Sequence, residues 1–118
     1  MATIKAFSDL EQSKALAKIL PLESADMYWY LATKDNPKAR FNEGYNEYGD
    51  FELPCWSLAA LLSFLPDGTD IIKEEADTEN EKYMCTVGVK DDIISTFGNN
   101  PVDACYDMIL KLQKLKML

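Results

Sequence analysis

The side chains best equipped for chemistry are carboxylates, and they are concentrated. Asp67, Asp70, Glu74, Glu75, Asp77, Glu79 and Glu81 fall in one stretch with only Lys73 and Lys82 to offset them, a local charge of −5. Oxygen ligands of this kind suit hard cations such as calcium or magnesium. The spacing does not follow a calcium-binding loop, because Gly68 comes too early and no third spaced ligand precedes it. A charge run of this sort reads first as a solvated loop. An enzyme that pairs carboxylates with a divalent metal is therefore an alternative without a motif, since the separation that makes two acids catalytic is spatial and not sequential.

The chain has no histidine among its 118 residues. That removes Ser-His-Asp and Cys-His catalysis and every histidine-ligated zinc or iron site. The three cysteines, Cys55, Cys85 and Cys105, form no C-x-x-C pair. They read as reduced, buried hydrophobes and fit a cytoplasmic setting. Cys55 lies beside Trp56 near a helix start and is the one thiol whose position admits reactivity. The five glycines are scattered and build no phosphate loop. No catalytic, cofactor-binding or metal residue is assigned on these grounds.

What remains is an aromatic cluster. Residues 35–52 carry Phe41, Tyr45, Tyr48 and Phe51 among asparagines and glycines. Rings set among such residues supply contact area at low entropic cost, as adaptable binding surfaces do. The same four rings could instead fold back over the core as a compact loop. Both readings stand at this point, and these four are the candidate partner-binding residues.

The elements that position them follow from periodicity. Ser8 and Glu11 have capping-box spacing and open a predicted helix over 9–20, stopped by Pro21. Residues 26–33 alternate with many aromatics on both faces, which predicts a central strand. The uncharged, leucine-rich stretch 54–65 predicts a mostly buried helix with Pro54 in its first turn. Residues 67–82 read as the acidic loop, with at most a helical turn at 71–75. Strands are predicted at 83–89 and 93–97, joined by a hairpin through Lys90, Asp91 and Asp92. Asn100 caps a last helix with Pro101 at its first position and lysines gathered at its end. The implied architecture is α+β, a small antiparallel sheet of about three strands packed with about three helices, in a single domain spanning residues 1–118.

Charge narrows the partners. Twenty acids against twelve bases give −8 and a pI near 4.4, which disfavours direct contact with nucleic acid or an anionic membrane. No leader sequence is legible at residues 1–7, and the longest charge-free stretch is too short to span a bilayer. Cytoplasmic localisation is expected.

Two segments carry a resemblance. Pro54, Cys55 and Trp56 lead into a leucine-rich helix closed by Leu65 and Pro66; Asn100, Pro101, Asp103 and Ala104 then open a terminal helix. In these stretches, 53–66 and 99–118, the chain resembles a group of small uncharacterised proteins from phage-like and other mobile elements of gut Bacteroidetes, Bacteroides included. The shared motifs are helix caps and apolar faces, so the resemblance implies a fold and a bacterial accessory role, with no reaction and no site residues. The expectation is a non-enzymatic interaction module with a protein partner of unknown identity, with homodimerisation open. The rival readings are an acidic, immunity-like inhibitor of a basic partner or a nucleic-acid mimic, and the metal-dependent enzyme above.

Overall fold

The computed structural model describes residues 5–32, 37–42, 48–74 and 82–118. Their order is helix α1 (Leu10–Ala17), a 3-10 turn (Leu22–Ser24), strands β1 (Met27–Tyr30), β2 (Lys38–Phe41) and β3 (Glu52–Cys55), helix α2 (Leu58–Phe64), strands β4 (Asp70–Glu74), β5 (Lys82–Val89) and β6 (Asp92–Gly98), and helix α3 (Pro101–Lys114). The fold is α+β with three helices, as expected, but the three-stranded antiparallel sheet occurs twice, ordered β2-β1-β3 and β4-β5-β6.

The second sheet is a meander with α3 laid across one face. Alternation points Cys85 and Val87 of β5 inward, where Val102, Cys105, Met108, Ile109 and Leu112 of α3 meet them with 2% exposure or less. Burying a side chain of this size contributes roughly 1.5–3 kcal/mol. Leu61 of α2, Leu65 just after it, Leu16 of α1 and Trp56 join the cluster. Asn100 caps α3 by accepting from the Asp103 amide at 2.9 Å, with Pro101 at the first helical position. Gly98 is required where β6 passes under α3, because a Cβ there would lie 2.7 Å from the Ala104 nitrogen. Lys90 takes the left-handed conformation (φ 52°) in the two-residue β5–β6 connection.

The first sheet departs from the sequence expectation in three places. Ser8 does not cap α1: Asp9 does, accepting from the Gln12 amide at 2.8 Å while Gln12 Oε1 accepts from the Asp9 amide at 3.1 Å. The helix is accordingly shorter than 9–20. Ser8 is buried instead, its amide donating to the Trp56 carbonyl at 2.8 Å and its hydroxyl accepting from the Trp56 amide at 3.1 Å. Next, the segment read as a loop over 35–52 contains β2 and the first residue of β3. Finally, Pro54 belongs to β3 and not to α2, whose cap is Ser57. The pairing tolerates this proline. The Leu31 amide donates to the Phe51 carbonyl, so β1 bonds β3 through its odd-numbered residues and position 54 faces away from the ladder.

The acidic stretch is corrected as well. Residues 70–74 form β4 and not a helical turn, with Ile71 opposite Cys85 on the inner face. The rest of that stretch, 75–81, lies outside the described residues. No helix among the described residues is long and apolar enough to cross a membrane.

Candidate interaction surface

The four candidate rings do not share one patch. Phe41 ends β2, opposite Met27 of β1, and is 68% exposed. Phe51 precedes β3, bonded through its carbonyl to Leu31 at the other end of β1, and is 59% exposed. The two sit at diagonal corners of the sheet, about 16 Å apart from strand spacing and rise. Tyr48 is half-buried, its hydroxyl donating to the Leu22 carbonyl at 3.4 Å, and burial pushes its phenol above the ordinary value. Tyr48 therefore serves partly as cover for the chain below it. Tyr45 lies outside the described residues.

Around Phe41 the structure assembles neighbours that the sequence reading passed over. Residues 37–41 alternate Pro37, Lys38, Ala39, Arg40 and Phe41. Opposed residues of an antiparallel pair share a face. Ala39 and Phe41 thus lie on the face of Trp29 and Met27, whereas Lys38 and Arg40 lie on that of Tyr30 and Tyr28. Lys38 and Arg40 are exposed. This period of two was the available signal; the asparagines and glycines around it made the segment read as loop.

On the Trp29 face a shallow, wide-open cleft of about 420 Å³ lies between Pro37, just before β2, and the start of α1, lined by Asp9, Leu10, Glu11, Trp29 and Pro37. The indole is held in place. Its Nε1 donates to the Ser8 carbonyl at 3.1 Å, and its ring meets Phe7 edge-on, with centroids 5.6 Å apart. Asp9 is committed to Lys5 at 2.9 Å and to the cap of α1. Glu11 points into water, with Lys14 3.6 Å away. The cleft is an apolar floor with an acidic rim on one side.

Lys5 continues as a clamp below the cleft. Its ammonium reaches Asp103 of α3 at 2.8 Å, and Asp103 also accepts from Gln12 at 2.8 Å and Asn100 at 2.9 Å. Burial works to raise the Asp103 carboxyl, but these donors outweigh it and hold the group below the usual carboxylate range.

The chemistry available elsewhere is limited. Cys55 is fully buried on β3, and burial pushes its thiol up, so it is a packing residue and not a nucleophile at a helix start. Cys85 and Cys105 face each other in the core; the hydrogen bond with Cys85, and then burial, push the Cys105 thiol up. Among the described residues, no three of histidine, cysteine, aspartate or glutamate gather closely enough to hold a metal ion. No family model, curated protein or solved structure matches the chain.

Proposed function

We propose that the chain is a non-enzymatic interaction module, acting in a bacterial cytoplasm as an accessory protein of mobile DNA. The observation that carries the interaction reading is Phe41. A large ring left two-thirds in water at the end of a strand, on the same sheet face as Trp29, is surface whose burial a partner can use. The setting rests on the resemblance in the segments 53–66 and 99–118.

Phe41→Ala tests the reading. The expected result is loss of partner capture with the melting temperature held, because two-thirds of the ring already lies in water. Unchanged capture together with a fall in melting temperature would assign the ring to stability and remove the proposal. The acidic-inhibitor reading keeps the charge of −8 as its support. It requires binding to a basic enzyme that weakens steeply with salt, whereas an apolar Phe41 contact is indifferent to salt.

A further inference from the structure

The Asn42 amide donates to the Asp26 carbonyl at 2.9 Å. In an antiparallel ladder bonded and non-bonded pairs alternate, so positions 42, 40 and 38 bond toward β1 and positions 41 and 39 turn their amides and carbonyls outward. Those four groups on Ala39 and Phe41 have no hydrogen-bond partner among the described residues. Among the described residues the other sheet borders are met in part by neighbouring chain or carry charges of both signs. The chain that continues β3 is paired by the N-terminal segment, with Phe7 bridging Ser57 and the Leu58 amide donating to the Ala6 carbonyl at 3.0 Å. On β6 the outward carbonyl of Ser95 takes Lys111 at 3.5 Å, and β4 carries Asp70, Lys73 and Glu74.

We propose that the open edge of β2 accepts one extended strand from a partner protein, with acidic side chains opposite Lys38 and Arg40 and an apolar side chain reaching over Ala39 into the cleft at Trp29. The inference rests on the interaction-module reading and names the partner's chemistry. A strand added to an edge gains main-chain hydrogen bonds, and its alternate side chains are read by whatever the host presents on each face. One face here presents two cations. The other presents Ala39, whose methyl is all that stands between the edge and its cross-strand neighbour Trp29, with Pro37 and Leu10 beyond.

Charge also selects against a second copy as the occupant. Pairing β2 with β2 in antiparallel register puts Arg40 opposite Arg40, or Lys38 opposite Arg40, and directly opposed like charges are destabilising. Cations on an edge strand thus deter self-pairing and still admit an anionic strand.

The experiment uses two capped peptides, one alternating glutamate with leucine and one alternating lysine with leucine, titrated into the full chain. Amide exchange at Ala39 and Phe41 and Trp29 emission report binding. The expected result is a preference for the glutamate peptide of roughly tenfold, from two cross-strand charge pairs, with both amides protected. The double variant Lys38→Glu with Arg40→Glu should reverse the preference, and a reversed preference also shows that the variant is folded. Ala39→Pro should abolish binding of either peptide, since it deletes an outward amide that β1 does not use. Equal binding of both peptides, binding that survives Ala39→Pro, or no binding at millimolar peptide would each overturn strand addition. If Phe41→Ala loses the partner and Ala39→Pro keeps it, the module reading survives and this inference falls.

Discussion

The two sheets have the same strand number and the same antiparallel pairing, yet they are stabilised differently. The β4-β5-β6 sheet has strands of up to 8 residues, a two-residue hairpin and a 14-residue helix across its inner face. The β2-β1-β3 sheet has strands of 4 residues each. It is anchored less by side-chain layers than by Ser8 and its bonds to Trp56, Trp29 and Ser13. Regular alternation with helix cover makes a scaffold. Short strands tied by polar contacts leave an edge and two rings free. The second sheet is the better-covered scaffold, and the proposed contact surface falls on the first.

The largest effect should come from the scaffold side. Ile109→Ala empties a fully buried site between α3 and its sheet, and such truncations cost about 2–5 kcal/mol. Leu53→Ala on β3 removes a half-buried chain and should cost less than half as much. Urea unfolding of both variants checks the ratio. Equal losses would abolish that contrast.

Ser8→Ala comes next and probes the polar anchor of the first sheet. It strands the buried Trp56 amide, which now donates to the Ser8 hydroxyl at 3.1 Å, and it removes the 2.7 Å contact with Ser13. Leaving a buried donor unsatisfied costs about 1–3 kcal/mol. Hydrogen exchange should show the added opening in β1 and β3 first, with β5 and α3 still protected. Uniform loss of protection would mean the two sheets unfold as one unit.

The same contrast explains what could be read in advance. The α3 cap at Asn100 and Pro101, its apolar stripe, and the alternation of Tyr83, Cys85, Val87 and Val89 are local signals, and the structure follows them. Ser8 misled because a good capping residue is equally suited to satisfying a buried amide, and its partner Trp56 is 48 residues away. Pro54 misled because a helix start and an outward position on a strand both tolerate a missing amide. The β2 strand was hidden by its neighbours' composition, and β4 by acids flanking Ile71 and Ile72. For the surface, Phe41 and Phe51 were legible as candidate rings, with exposure and core cover both open, and the structure exposes them. Their separation, the Trp29 cleft and the open edge depend on strand order, which periodicity does not encode.

A third effect is smaller and depends on pH. Asp103→Asn removes the charge that ties Lys5 and α1 to α3. Lys5 and Asp103 keep 25% and 33% of their side-chain surface in water, so the cost should be about 1 kcal/mol and not the full value of a buried pair. Asp103 and Asp9 lie below the usual carboxylate range. For Asp9 too, burial works upward and is outweighed, there by the Gln12 amide and Lys5. Their contribution is therefore present above pH ~4 and lost as pH falls through the folded values. Lys5 lies above its usual value, its carboxylate partners overcoming burial. Its contribution holds below pH ~10 and is lost as pH rises through the folded value. The difference in urea midpoint between wild type and variant should be flat from pH 5 to 9 and shrink below pH 4. A difference that persists at pH 2 would assign the effect to packing.

The smallest effect should be a gain, and it tests whether the second sheet obeys local rules on its outer face as it does on its inner one. Gly88 sits within β5 opposite Ile93 of β6, which is 75% exposed. Its backbone carries no left-handed strain, and a Cβ built there meets nothing within 4 Å. Glycine in a strand interior costs roughly 0.5–1 kcal/mol through unfolded-state entropy, and a β-branched neighbour would also cover part of Ile93. Gly88→Thr should therefore raise the urea midpoint by the equivalent of about 0.5–1 kcal/mol and leave Phe41-dependent capture unchanged. A stabilised variant that still binds keeps the two sheets' roles apart. A stabilised variant that loses its partner would move the contact surface onto the β4-β5-β6 sheet, with the bare strip at Gly88 as the reason the glycine is there.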